Sequence, residues 1–381
     1  MSRCWPRISA LALPVSIAFA QGVGVGSRID LTDPFHLDRT KGQFAQLFVP
    51  DYFHPDADGS YTLVFHLHSA SWAAEDQVYK ARCNAVLCNI HLGALSSPYQ
   101  SYFSDQSRFA AMLDTVSAQL SSKGVIRLPR LKTLIITSFS AGYAGVREIL
   151  KNPTHYGHVA ALTLADGLHC SEDPTVRAGQ MQDFVRFARD AAKGQKAMAL
   201  THSSIRTTGY WSTTQTAAYL VAAVGATVVP CGVTDEIGMQ YSRCDTGCFH
   251  LRGYLGDTAQ DHLKHLYAMD KMLAQVMKDL GIGPSPVPQG WLPTDQRLGV
   301  RVYPNPFRFR TAFRCLLANG GWARLTVFNV LGQRVYETGQ IYVPASGLET
   351  FWEAREMPAG VYTYRFEADG KTLKGHCAVV R

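Results

Sequence analysis

The 381 residues are 46% hydrophobic and 18% charged, enough apolar material for a sizeable core, so disorder is not the default and two or three domains fit the length. The net charge of +7 comes without any run of lysine or arginine and gives no support to nucleic-acid binding; attraction to acidic polymers or anionic surfaces stays open.

At the amino end, Arg3 and Arg7 precede a mostly apolar run that closes on Ala18-Phe19-Ala20. This is the pattern of a secretory signal peptide over residues 1–20, cleaved after Ala20. Neither this run nor any later one is long enough to span a bilayer as a permanent helix. Cys4 leaves with the signal, and the eight remaining cysteines, an even number, suit disulfides in an oxidising compartment. Cys83 with Cys88, Cys244 with Cys248, and Cys315 with Cys377 are the candidate pairs. A zinc site from Cys244, Cys248 and His250 would need a fourth ligand, and the spacing supplies none.

Residues 43–50 read as an early strand, and a turn rich in Asp and Gly at 56–60 leads into a buried strand at 61–66. That strand runs into His66-Leu67-His68-Ser69-Ala70-Ser71-Trp72. A loop of small residues after an inner strand can turn a backbone N–H toward a nucleophile, so Ser69 or Ala70 is a candidate oxyanion donor. His66 and His68, two apart on a strand, share a side and raise the alternative of a metal-dependent hydrolase. Positions 70 and 71 are Ala and Ser rather than further ligands, so no metal is assigned. An apolar strand at 85–92 follows, then a loop rich in Ser, Pro and Tyr at 93–102. A helix at 108–120 carries Phe109, Met112, Leu113, Val116 and Leu120 at helical spacing.

Residues 131–150 hold the most informative pattern in the chain. Leu134, Ile135 and Ile136 form a short apolar strand, and Val146, Ile149 and Leu150 lie on one side of a helix, so the chain turns sharply at Ser140. The turn reads Ser138-Phe139-Ser140-Ala141-Gly142, a G-x-S-x-G pattern with its first glycine replaced by serine. Such a turn lifts a hydroxyl to the end of a sheet beside the N–H groups of a helix start, which can stabilise an oxyanion.

A strand at 158–165 ends in Asp166-Gly167-Leu168-His169, where catalytic groups gather in open parallel sheets. A helix at 176–192 and a strand at 196–200 come next. No carboxylate follows that strand, and the nearest later ones are Asp235 and Glu236, so Asp166 is the preferred acid. A helix at 211–223 capped by Ser212, a short strand at 226–230 and a last strand at 248–255 lead to a final helix. His262 at its loop-to-helix junction is the candidate base, with His265 as the alternative. This alternation predicts an α/β domain built on a mainly parallel, doubly wound sheet.

From about residue 42 to 280 the chain resembles the α/β-hydrolase superfamily, through His66-Leu67-His68-Ser69-Ala70, Ser138-Phe139-Ser140-Ala141-Gly142, Asp166 and Asp261-His262 in that order. The resemblance implies a catalytic domain over 21–280 with Ser140 as nucleophile, His262 as base, Asp166 as acid, and the amides of Ala141 and of Ser69 or Ala70 as oxyanion donors. It implies cleavage of carboxylic esters through an acyl-enzyme without a cofactor. A peptidase or amidase on the same residues, or a non-catalytic binding or adhesion module, are the alternatives. Ser138 for glycine, Ser69 where glycine is commoner, and the missing late acid depart from the family pattern. Trp72, His68 and His169 are placed as substrate contacts, and the aromatic and histidine-rich loops suggest a substrate with an apolar or sugar face.

Residues 281–297 form a stiff proline-rich linker. Beyond it, short strands at 299–303, 312–318, 323–329, 333–337, 360–368 and 372–380 predict a small all-β, Ig-like sandwich over 298–381. Tyr303-Pro304-Asn305-Pro306-Phe307, Val327-Phe328-Asn329-Val330-Leu331-Gly332-Gln333-Arg334-Val335 and Pro358-Ala359-Gly360-Val361-Tyr362-Thr363-Tyr364-Arg365 resemble the C-terminal sorting domain of the type IX (Por) secretion system. That resemblance implies the type IX machinery as partner, a secreted or cell-surface location and removal of the tail. A carbohydrate-binding or adhesive sandwich is the alternative.

Overall fold

The computed structural model describes residues 26–285, 298–317, 321–343, 348–368 and 370–380. The expected signal peptide at 1–20 and the linker from 286 to 297 lie outside the described residues. The described chain divides into two compact units, 26–285 and 298–380.

In the first unit ten strands form one sheet: β1 (Gly26–Asp30), β2 (Phe44–Pro50), β3 (Ser60–Leu67), β4 (Ala85–His91), β5 (Arg130–Phe139), β6 (Val159–Ala165), β7 (Ala197–His202), β8 (Val229–Thr234), β9 (Met239–Thr246) and β10 (Phe249–Tyr254). Their order is β1-β2-β4-β3-β5-β6-β7-β10-β9-β8. The run from β4 to β10 in that order is parallel throughout, and antiparallel strands extend it on both sides. The helices are α1 (Ser71–Lys80), α2 (Ser96–Phe103), α3 (Gln106–Ser122), α4 (Tyr143–Leu150), α5 (Pro153–His158), α6 (Pro174–Ala192), α7 (Thr213–Ala223), α8 (Ala259–Tyr267) and α9 (Met269–Asp279).

Alternate residues of each inner strand feed two cores, one on each face. Leu63, Phe65, Leu134, Ile136, Leu162 and Leu164 pack on one face with Phe109, Val146 and Phe184 from α3, α4 and α6. Val64, Ile135, Ala161 and Ala165 pack on the other with Ala73, Leu266 and Leu273 from α1, α8 and α9. Both faces are apolar, which is why these strands read as unbroken hydrophobic runs. The arrangement is the mainly parallel, doubly wound α/β sheet that the sequence predicts, with helices on both faces.

Several expectations need correction. Helix α1 fills the connection between β3 and β4, and the supposed loop at 93–102 contains α2, held by the buried rings of Tyr99 and Phe103 one turn apart. The strand at 248–255 is the last of this sheet in chain order, as expected, but it does not form the sheet's edge, because β9 and β8 lie beyond it, antiparallel. The expected disulfides are absent: Cys83, Cys88, Cys170, Cys231, Cys244, Cys248, Cys315 and Cys377 are all free thiols. For the two close pairs the cause is geometric. Cys83 lies in one core and Cys88 in the other, while Cys244 and Cys248 also pack toward opposite cores, so the sheet stands between the partners. Cys315 and Cys377 share a core yet remain separate, and burial pushes each thiol up to about 12.

In the second unit every pairing between the described strands is antiparallel, while an isolated bridge between Phe307 and Val379 is parallel. Strands β11 (Leu298–Tyr303), β12 (Arg310–Leu317), β13 (Gly321–Phe328), β14 (Arg334–Glu337), β15 (Ile341–Val343), β16 (Leu348–Glu353), β17 (Gly360–Ala368) and β18 (Lys371–Val379) make two sheets, β11-β12-β16 and β14-β13-β17-β18, with β15 paired to β13. Both sheets contribute to one core around Phe313, Leu325, Trp352 and Phe366. Strands β15 and β16 are additions to the sequence expectation.

Candidate active site

Strand β5 delivers Ser140 to the carboxyl edge of the sheet, and a single 3-10 turn, Ser140–Gly142, leads from it into α4. Ser140 sits at φ +47, a left-handed conformation that costs a non-glycine residue about 1–2 kcal/mol. Two glycines make the turn sterically feasible. A Cβ on Gly142 would be driven into the Leu67 carbonyl, and one on Gly167 would lie 2.5 Å from the Ser140 backbone N and O. Ser138, at the position of the usual first glycine, is fully buried in register between Leu67 and Leu164.

Five non-glycine residues among those described have positive φ, and three of them, His68, Ser140 and Asp166, directly follow or close β3, β5 and β6. Those strands are neighbours in the sheet. Backbone strain is therefore concentrated at one edge, as at many functional sites.

Asp166 is buried and accepts three hydrogen bonds. Ser203 N–H and Thr213 Oγ1 donate to Oδ1 at 2.9 and 2.7 Å, and His262 Nδ1 donates to Oδ2 at 2.7 Å. Burial by itself would raise this carboxyl, but the His262 hydrogen bond, the charges of His265 and His262 and the Ser203 amide together hold it well below the usual carboxylate range. His262 lies on the first turn of α8, which a capping box between Thr258 and Asp261 fixes. Its ring packs on Phe139, the residue before Ser140, with centroids 4.5 Å apart. With Nδ1 committed to Asp166, Nε2 is the imidazole's remaining polar atom. Among the described residues neither this atom nor Ser140 Oγ makes a hydrogen bond.

The alternatives to these residues point elsewhere. His265, one turn further along α8, is sealed in the interior with Nδ1 on Thr201 Oγ1 at 2.8 Å, and burial pushes its pKa down to about 4. Asp235 accepts from Tyr254 OH at 2.8 Å and from the Ile237 amide at 2.8 Å. Glu236 faces Lys271 at 3.5 Å. Ala141 lies half-buried in the turn after Ser140, Ser69 is buried, and exposed Ala70 is the N-cap of α1. Trp72 stacks on Tyr267 of α8 at 5.9 Å. His169 follows Asp166 on the same segment and carries Nδ1 on the Trp211 carbonyl at 3.0 Å.

His66 and His68 do not share a side as the strand pattern implied. The strand ends at Leu67, and His68 leaves it at φ +76. His66 is buried against Thr137 Oγ1 at 2.8 Å, whereas His68 Nδ1 reaches Gly93 O at 3.1 Å and Tyr99 OH at 3.0 Å. Burial, with His68 beside the first and His91 beside the second, pushes both rings down to about 3. Among the described residues no three His, Cys, Asp or Glu side chains gather as a metal-ligand set. His250, the third member of the zinc alternative, is taken by Asp245 at 2.6 Å and Asp279 at 3.0 Å.

Four contributors escaped the sequence reading: Ser203 and Thr213, which donate to Asp166, Phe139, which supports the imidazole, and Gly167, which admits the serine turn. Ser203 and Thr213 lie 37 and 47 residues from Asp166, and no spacing marks them. Only Gly167 carried a signal, a glycine directly after the candidate acid.

No known family and no curated protein matches the chain. Among solved structures it is similar to a feruloyl esterase module from Clostridium thermocellum complexed with sinapinate, at 12% identity and a TM-score of 0.39 over 62% of this chain and 84% of that one. It is similar to siderophore hydrolase EstB from Aspergillus nidulans at 8% identity and 0.37 over 71% and 100%. A stretch amounting to 22% of the chain is similar to dimeric latent PorU from Porphyromonas gingivalis, at 19% identity and 0.20, and spans 9% of that protein. Likenesses this distant carry no argument about chemistry, which rests on the site.

Proposed function

We propose that the chain is a serine hydrolase that cleaves carboxylic esters through an acyl-enzyme, with Ser140 as nucleophile, His262 as general base and Asp166 as the acid that orients it. One observation carries this reading. The imidazole that bonds Asp166 at 2.7 Å also packs against the residue preceding a serine held in a left-handed turn.

In this mechanism His262 Nε2 takes the Ser140 proton as Oγ attacks the ester carbonyl. The amides of Ala141 and of Ser69 or Ala70 receive the tetrahedral oxyanion, and each such donor supplies roughly 3 kcal/mol of barrier lowering. Collapse breaks the ester C–O bond, and the leaving alkoxide takes its proton from His262. A water deprotonated by the same nitrogen then hydrolyses the acyl-serine. Asp166, kept ionised, stabilises the imidazolium in both halves. Fluorophosphonate labelling of the wild type that disappears in Ser140→Ala, together with chelator-insensitive turnover of p-nitrophenyl esters, is the expected result. Unlabelled wild type would sink the reading, and faster cleavage of peptide anilides than esters would make it an amidase.

We further propose that residues 298–381 are an Ig-like type IX sorting domain and that the protein is exported. Its three sequence motifs support this, as does an exposed turn between β13 and β14 that displays Val330 and Leu331. In a host with type IX export, deleting 298–381 should strand the protein in the periplasm; undiminished release would count against the assignment.

A further inference from the structure

His169 lies on a segment that runs directly against the serine turn, since Gly167 leaves no room for a Cβ beside the Ser140 backbone. Its ring is fixed on several sides. Tyr143 meets it edge-on with centroids 5.4 Å apart, and Tyr210 does so at 5.2 Å. The Arg147 guanidinium donates to its carbonyl oxygen, and the next residue, Cys170, forms a β-bridge with Trp211. The Trp211 carbonyl takes Nδ1 at 3.0 Å. A carbonyl can only accept, so Nδ1 carries the proton and Nε2 presents a lone pair. Nε2 has no partner among the described residues and is not sealed from solvent. Burial above all lowers the ring's pKa, which keeps it neutral in neutral solution.

We propose that His169 Nε2 is a hydrogen-bond acceptor that reads the substrate, so that the site selects esters bearing a hydroxyl donor. This rests on the serine-hydrolase reading and narrows it. An immobile acceptor pairs with an O–H but is left desolvated and unpaired by an analogue that lacks one. Tyr143 and Tyr210 add ring faces that fit a phenol on the acyl side or a sugar on the alcohol side.

Two substrate pairs separate those sources: methyl 4-hydroxycinnamate against methyl cinnamate, and acetylated methyl glucoside against cyclohexyl acetate. In the wild type, kcat/KM should favour the hydroxylated member of one pair by about tenfold or more. His169→Phe should bring that ratio near one while sparing the other member, and His169→Gln, whose amide oxygen can accept, should restore part of it. A wild-type ratio near one for both pairs overturns the proposal, as does His169→Phe slowing both members of a pair alike. Calorimetric binding of the same pairs to Ser140→Ala reads the preference without turnover. A preference there that His169→Phe removes, beside wild type that fluorophosphonate does not label, would uphold His169 and sink only the nucleophile.

Discussion

His262 and Asp166, 96 residues apart in the chain, meet at 2.7 Å through Nδ1 and Oδ2, and the other carboxylate oxygen is already saturated by Ser203 and Thr213. The carboxylate is thus held from both ends before any substrate arrives. In Asp166→Asn one carboxylate oxygen becomes an NH2 that can only donate, and all three present partners are donors. Turnover of p-nitrophenyl esters should fall on the order of 10³–10⁴-fold with KM little changed. Near-normal kcat in this variant would remove Asp166 from the mechanism.

Gly167 tests whether the serine turn depends on contact between two strand ends. Gly167→Ala places a Cβ 2.5 Å from the Ser140 backbone, so it should cost about 1–3 kcal/mol and most of the activity. Gly179→Ala in α6 meets nothing within 4 Å and should be neutral or slightly stabilising. Urea denaturation of both variants provides the comparison, and equal midpoints would contradict it.

Acid sensitivity should begin well above the carboxylate range. A histidine buried neutral binds its proton more weakly folded than unfolded. Between the unfolded value near ~6.5 and the folded value, the unfolded chain therefore takes up the proton and stability falls with pH. His265 at about 4 and His66 and His68 at about 3 place this loss below pH ~6.5. Each should cost roughly 1–2 kcal/mol by about pH 5. Asp166, whose folded pKa is depressed, contributes fully above about pH 4 and loses its share only in stronger acid. Melting temperatures should drop between pH 7 and 5, and His265→Gln should shrink the drop; a flat profile would mean these rings are not buried neutral.

Reducing agent should leave the melting curve unchanged, because the thiols of both close pairs are kept apart by the sheet itself. With the chain unfolded but not reduced, a thiol reagent should modify every cysteine from Cys83 to Cys377. A melting temperature that falls on reduction would indicate a bridge.

What was legible in the sequence was local. The apolar strand before Ser140 and the helix after it mark themselves within twenty residues, and the glycine at 142 belongs to the same pattern. Helix α1 hid because its buried residues are mixed: Glu75, Asp76 and Gln77 lie among Ala73, Ala74 and Val78 and are matched by Arg28, Lys80 and the Asp270 amide, which breaks the apolar periodicity. Strand β9 hid for a related reason, turning Gln240 and Ser242 inward beside Cys244. Asp166 was legible from its place at the end of a strand, whereas the hydrogen bonds from Ser203 and Thr213 that hold it, and the one from Tyr254 that occupies Asp235, follow from the fold and leave no trace in spacing.

The left-handed bend at Ser140 sets durability to heat against reactivity. Glycine adopts that conformation freely, so Ser140→Gly, unable to form an acyl-enzyme, should outlast the parent on heating by up to about 1 kcal/mol. Breeding this protein for thermotolerance alone would discard the very hydroxyl on which its proposed chemistry turns.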